Sequence, residues 1–273
     1  MHNSIRYFNF YGLKFSSFNI NQLKEDLLNT IASNSKKVYF GYSLGTLPYF
    51  KKYPEIASIC NEFDVMVADG RGMYLLLRLF KKPIYSDISI PNLTQLALEI
   101  ANENKYSVMI VGSTPENNYN AVIKTRKKYK NAIIYDGYDG GDFSYEAQMV
   151  TVEKINKYAP DILFIGVSSP KKEKFVGNWK DMLKVKVIIP FGGAIDILSG
   201  KSKPIPKLIK KLCLGGFYRF IQEPRRLFRD SIIYVFNVMF IFFPVFFFNV
   251  VVKRNKEFCI PGFYNRKYKC ENF

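Results

Sequence analysis

The sequence holds one histidine, His2, at the start of the chain, and one tryptophan among its 273 residues. Without a second imidazole, Ser-His-Asp and Cys-His nucleophilic catalysis are excluded, and any general base has to be a carboxylate, Lys, Tyr or Cys. Cysteine is scarce too. Cys60, Cys213, Cys259 and Cys270 form no C-x-x-C pair and have no histidine ligand nearby. That argues against a zinc site and predicts reduced thiols in a cytosolic chain. No secretory signal precedes the first strand pattern. A complete G-x-G-x-x-G is missing as well, since Gly70-x-Gly72 meets Leu75 where the third glycine would stand. A nicotinamide-dependent oxidoreductase therefore lacks its fingerprint. Acidic residues are few: 23 Asp and Glu stand against 40 Lys and Arg, a net charge of +17 that points to an anionic partner.

The chain has material for one substantial core and an appendage, with a hydrophobic fraction of 48% that makes disorder untenable. Strand patterns fall at residues 5–10, 37–42, 65–68, 107–111, 132–135, 162–166 and 185–190. Amphipathic helical patterns lie between them at 21–33, 71–80, 91–102, 117–130, 145–158 and 171–182. This alternation predicts an α/β fold with a mostly parallel sheet and helices on both faces. In such folds ligands gather at the carboxyl ends of the strands. The turns there are rich in small residues: Asp69-Gly70-Arg71-Gly72, Gly112-Ser113-Thr114, Asp136-Gly137-Tyr138, Gly166-Val167-Ser168-Ser169-Pro170 and Phe191-Gly192-Gly193. Five such turns on one sheet edge favour a nucleotide-type ligand, because glycine lets backbone N–H groups approach phosphate closely. Taken singly, each can equally be a tight turn.

After Gly200 the rhythm stops at Lys203-Pro204-Ile205-Pro206. From Lys201 onward there are 15 Lys and Arg against 4 Asp and Glu. Residues 231–252 follow without a charge, about as long as the ~20 residues that cross a bilayer. Asn237, Pro244 and Asn249 interrupt them, so a kinked span and a re-entrant hairpin are both open. A buried helix of a larger soluble core is the other reading. Because the basic residues bracket this apolar stretch, a membrane surface fits better than a nucleic-acid groove. The domain plan is an α/β catalytic domain over 1–200, a basic C-terminal appendage over 201–230, a hydrophobic membrane-inserting segment over 231–252 and a polar tail over 253–273.

Four blocks, in order, carry a resemblance. Asp64-Val65-Met66-Val67-Ala68-Asp69-Gly70-Arg71-Gly72 has the pattern strand, then Asp-Gly-x-Gly. Pro160-Asp161-Ile162-Leu163-Phe164-Ile165-Gly166 continues into Ser169-Pro170-Lys171-Lys172-Glu173. Phe191-Gly192-Gly193-Ala194-Ile195-Asp196 precedes Ser199-Gly200-Lys201, and Tyr218-Arg219 leads to Glu223-Pro224-Arg225-Arg226-Leu227-Phe228-Arg229. Together they resemble the WecG/TagA/CpsF glycosyltransferases, glycosyltransferase family 26.

The resemblance implies a Rossmann-like fold and inverting transfer of an N-acetylmannosamine- or hexose-type sugar from a UDP-sugar, with no metal and no cofactor. The implied acceptor is a sugar linked to polyprenyl diphosphate, used in bacterial surface polysaccharide or cell-wall polymer biosynthesis at the cytoplasmic face of the cell membrane. It implies Asp69 as catalytic base; the alternative is an N-cap for the helix starting at Arg71. Substrate binding falls to Gly70, Gly72, Gly112, Ser113, Gly137, Tyr138, Gly166, Ser169, Lys172, Glu173, Gly192, Gly193, Arg219, Arg226 and Arg229. The arginines can instead anchor lipid headgroups. The chain departs from the family pattern at Gly41-Tyr42-Ser43 for Thr-x-Asn, at Asp87 for Arg, at Ile90 for Gly and at Lys172 for Gln. A catalytically weakened, UDP-binding, membrane-docked subunit of a polysaccharide assembly complex is the second functional reading. A homo-oligomeric state is left open.

Overall fold

The computed structural model describes residues 5–47, 49–212, 214–222, 224 and 236–264. Six strands form one sheet: β3 (Lys37–Tyr42), β4 (Val65–Ala68), β5 (Ser107–Val111), β6 (Ile133–Ile134), β7 (Ile162–Ile165) and β8 (Val187–Ile189). Their order is β4-β3-β8-β7-β5-β6, and every pairing is parallel. The mostly parallel α/β sheet expected from the sequence is what forms.

The central strands are unbroken apolar runs because both of their faces are covered. Successive side chains alternate between two cores. Phe40, Met66, Met109, Leu163 and Ile188 enter one core; Tyr39, Val67, Ile110, Phe164 and Ile189 enter the other. On the first face pack α3 (Glu55–Asn61), α4 (Arg71–Leu79), α7 (Tyr145–Tyr158) and α8 (Lys171–Trp179). The second is covered by α1 (Ile20–Ala32), α5 (Ile90–Asn104) and α6 (Pro115–Lys128). Each fully buried Leu, Ile or Phe contributes about 1.5–3 kcal/mol, so these two layers hold the strand ends that build the site.

The first strand pattern joins a different sheet. β1 (Arg6–Phe10) pairs only with β2 (Leu13–Ser17), as an antiparallel hairpin. Tyr11 and Gly12 both take positive φ, 49° and 84°, the combination a two-residue hairpin turn requires. The hairpin is pinned beside β4: Met66 N–H donates to Ser16 Oγ at 2.9 Å, and Asn61 Nδ2 donates to Gly12 O at 2.9 Å. α2 (Tyr49–Lys52) and α3 also form where no helix was expected.

Beyond the sheet come α9 (Ile195–Leu198), α10 (Lys207–Lys211) and α11 (Gly215–Gln222). Gln222 holds α11 back against the preceding turn, accepting from Lys203 N–H at 2.6 Å. A Phe-rich helical stretch follows, with π turns Asn237–Phe242 and Phe248–Val252 around an α segment Phe243–Phe247. Phe242 and Phe246 of this stretch join the core that also holds residues of the hairpin and α4, and Val238 is buried as well. The Phe246 ring lies 5.3 Å from Phe80, 5.4 Å from Tyr11 and 6.0 Å from Phe10. Among the described residues no helix is long and apolar enough to cross a membrane, and 231–235 of the expected segment lie outside them. Hydropathy registered the apolar character of the stretch but could not reveal that one face of it rests on protein. A last short helix, Ile260–Tyr264, joins the same patch through Ile260 N–H, which donates to Tyr11 O at 2.8 Å. Cys259 beside it is disulfide-bonded, against the expectation of a wholly reduced chain.

Candidate active site

Asp69 follows β4 directly. Its N–H donates to Tyr42 O at 2.9 Å, extending the ladder between β3 and β4 by one rung. Gly70, at φ 86°, turns the chain into α4; it occupies the N-cap, and no side chain caps that helix. The N-cap reading of Asp69 for α4 therefore fails. Its Oδ1 instead accepts from Ile90 N–H at 2.9 Å, in the first turn of α5, and Oδ2 has no protein partner among the described residues.

Burial pushes the Asp69 carboxyl above the ordinary aspartate range. The Ile90 N–H and the charges of Arg219, Lys172 and Lys210 pull it partly back. Three cations from three separate elements (α11, the start of α8, and α10) thus lie within electrostatic reach of one half-buried carboxylate.

Lys172 is the innermost of them. Its ammonium contacts Ser169 Oγ and Glu173 Oε1, and the side chain is 11% exposed. It sits 5.1 Å from the centre of the Phe40 ring. One of its three N–H groups has no protein acceptor among the described residues. Glu173 is wholly buried, and its Oε2 has no hydrogen-bond partner. Ser169 Oγ–H donates to Glu173 Oε1 at 2.6 Å, so the pair is fixed on both sides. Gly192, at φ 53°, passes close by: a Cβ there would lie 3.6 Å from Lys172 Cε. At Gly166 a Cβ would meet Ile195 Cδ1 at 2.9 Å, and at Gly193 it would lie 4.0 Å from Asp196 Oδ2.

The remaining expected residues gather at the β5 end. At Gly112, with φ 104°, a Cβ would stand 2.7 Å from Val167 and 2.9 Å from the Gly166 backbone, so only glycine fits. Gly112 N–H donates to Tyr138 O at 2.7 Å. Asn117 Nδ2 donates to Ser113 Oγ at 2.7 Å and to Asp196 Oδ1 at 2.8 Å. Gly137 is packed against Asn118, whose Oδ1 would be 1.8 Å from an added Cβ. Gly137, Tyr138 and Asn118 line a cavity of about 400 Å³ between α6 and the segment after β6.

The expected residues thus spread along the sheet edge. Gly70 and Asp69 stand at the β4 end, with Gly72 turned onto Leu44 Cδ1, 2.7 Å from where a Cβ would be. Lys172, Glu173, Ser169, Gly166, Gly192 and Gly193 occupy the middle, and Gly112, Ser113, Gly137 and Tyr138 the β5–β6 end. Arg219 reaches the Asp69 end from α11. Arg226 and Arg229 lie outside the described residues.

Two departures from the family pattern are compensated in space. A Cβ on Gly41 would lie 2.9 Å from Asp69 Cβ and 3.1 Å from Ile90 Cδ1. Where the family pattern has Thr and Gly, this chain has Gly41 on β3 and Ile90 at the start of α5, so the larger side chain stands on the helix instead of the strand. Where the pattern has Arg, Asp87 accepts instead from Arg71 Nη1 at 3.1 Å, with Lys210 Nζ at 3.9 Å. Arg71, Asp87 and Lys210 were not among the residues expected at the site. The reversed charge at position 87 was the one sequence signal, and it named no partner.

Residues 8–254 match the model of the glycosyl transferase WecG/TagA/CpsF family. The chain is 25% identical over 227 residues to N-acetylglucosaminyldiphosphoundecaprenol N-acetyl-beta-D-mannosaminyltransferase of Staphylococcus aureus strain MRSA252, covering 82% of this chain and 88% of that one. It is equally similar to the proteins of the same name from strains MW2 and NCTC 8325. With nine-tenths of its length matched, this chain belongs to the WecG/TagA/CpsF glycosyl transferase family.

Proposed function

We propose that the protein transfers an N-acetylmannosamine- or hexose-type sugar, with inversion, from a UDP-sugar to a sugar linked to polyprenyl diphosphate, in cell-wall or surface polymer synthesis. The acceptor class follows the similar staphylococcal enzymes, whose name specifies N-acetylglucosaminyl-diphosphoundecaprenol. The observation that carries the reading is Asp69: one oxygen fixed by Ile90, the other unengaged, and three cations around it.

In this reading Asp69 Oδ2 takes the proton of the acceptor hydroxyl. The freed oxygen attacks the anomeric carbon from the face opposite the nucleotide. The bond from that carbon to the diphosphate oxygen breaks, and its electron pair leaves on UDP. Charge developing on the leaving group is met by Lys172, by Arg219 and by the N–H groups of the glycine turns. General-base help of this kind accounts for about 10²–10⁴ in rate.

The reading extends to location. Phe236, Met239, Phe240, Phe247 and Val251 form the exposed side of the Phe-rich stretch, and Lys253, Arg254 and Lys256 stand exposed at its end. An apolar face with a basic rim suits the cytoplasmic surface of an anionic membrane. We assign 1–200 to catalysis, 201–230 to the appendage and 231–252 to membrane association. The test is incubation of the full chain with UDP-N-acetylmannosamine and N-acetylglucosaminyl-diphosphoundecaprenol, followed by mass spectrometry of the lipid. A mass increase of one N-acetylhexosamine supports the reading. No product from this or any other UDP-hexose, with UDP still bound, would leave only the binding-subunit alternative.

A further inference from the structure

The reaction just proposed brings two diphosphates to one carboxylate, one on the donor and one on the acceptor lipid. The sheet order separates two sets of groups suited to them. From the middle of the sheet toward β5 lie Lys172 and the turns at Gly192, Gly166 and Gly112. On the other side of Asp69, at the β4 edge, lie Arg71, Asp87 and Lys210.

This second cluster is unfinished. Arg71 spends only Nη1 on Asp87. Its Nε and Nη2, the fork that recognises a phosphate or carboxylate bidentately, have no protein acceptor among the described residues, and Nε is buried. Two cations face one carboxylate, so a positive charge is left over. Arg126 shows what a structural arginine looks like here: Nε and Nη2 both donate to Ile134 O, at 2.9 and 2.8 Å, and Nη2 also reaches Asp136. The position also matters. α4 begins at Arg71, its C-cap Phe80 at the far end meets the Phe-rich stretch, and α10 carries Lys210 between the exposed Leu208 and Leu212. Arg71 thus stands two residues after Asp69 at the start of α4, and the second cation at Asp87 comes from a helix that exposes leucines, an apolar surface suited to a lipid-linked substrate.

We propose that Arg71 and Lys210, held in place by Asp87, form the binding site for the diphosphate of the lipid-linked acceptor. This rests on the transferase reading and adds to it the division of the two anions between the two sides of Asp69.

The test uses the full chain and two separate titrations, one with UDP and one with a short-chain prenyl-diphosphate-linked N-acetylglucosamine. Arg71→Met should weaken binding of the prenyl diphosphate about ten- to a hundredfold, the usual loss for a charge-assisted pair, and leave UDP affinity within about twofold. Arg71→Lys should fall between, because it keeps the charge and loses the fork. Lys210→Met, on a solvent-facing helix, guards against a folding artefact and should weaken the same ligand more modestly. Unchanged prenyl-diphosphate affinity in both Met variants, or an equal fall in UDP affinity, overturns the assignment. A wild-type chain that binds neither ligand would show instead that the transferase reading itself is wrong.

Discussion

Replacing Phe246 with alanine distinguishes a helix docked on the protein from one that leaves it. Phe246 is 3% exposed, and five aromatic rings, of Phe10, Tyr11, Phe80, Phe242 and Phe258, have centroids within 6.0 Å of its own. Truncation removes its burial and leaves a cavity that this rigid cage cannot close, so the cost should lie near the upper end of the usual range, about 3–5 kcal/mol. For a chain of this size that is a fall in Tm of roughly 6–20 °C. Thermal unfolding of the detergent-free protein, followed by circular dichroism, reads it directly. Phe240→Ala, at 68% exposed, is the control and should move Tm by less than about 2 °C. A loss under about 1 kcal/mol for Phe246→Ala would mean that the stretch does not rest on the core, and a spanning or re-entrant segment would regain its standing.

The chemistry and packing around Asp69 yield three further tests. Because burial raises its pKa above the ~3.9 of a free aspartate, the acid limb of the pH–rate profile should fall at a higher pH than an ordinary carboxylate gives. Lys210→Met and Arg219→Met each remove a charge that favours the ionised form, so each should move that limb further upward. A limb that stays in place in both variants refutes the electrostatic account. The same shift predicts stability: folded Asp69 holds its proton at pH values where the unfolded chain has lost it. Folding is therefore weakened as pH rises through that interval, and Asp69→Asn should be at least as stable as wild type at neutral pH. Gly41→Thr should cost at least about 1–3 kcal/mol and abolish transfer, since its Cβ would stand 2.9 Å from that of Asp69. Adding Ile90→Gly should restore much of the stability, because it vacates the volume the threonine needs; no recovery in melting of the double variant would show that the two positions are not coupled.

What could be read from the sequence followed from local chemistry. β4, β5 and β7 are apolar runs bounded by glycine, and the parallel sheet they form demands that pattern. Asp69 was legible because it closes such a run immediately before Gly70. The hairpin was not, since Tyr11 is an unusual occupant of a left-handed turn position and only the docking of the turn through Asn9 and Asn61 secures it. Strand order was equally hidden, so nothing local revealed that the β4 turn and the β6 turn sit at opposite ends of the sheet. The compensations between Gly41 and Ile90 and between Asp87 and Arg71 exist only in three dimensions; along the chain each looked like an isolated loss. Residues 231–252 illustrate the converse. A phenylalanine that will face lipid and one that will face Tyr11 and Phe80 have the same hydropathy.

The most direct measurement is single-turnover transfer from UDP-N-acetylmannosamine to N-acetylglucosaminyl-diphosphoundecaprenol by the wild-type chain and by Asp69→Asn, with UDP affinity measured on both. Asparagine keeps the shape and can still accept from Ile90, but it cannot take a proton. A rate lowered by about 10²–10⁴ with UDP affinity unchanged is the expected result. Transfer at the wild-type rate would remove Asp69 from the chemistry.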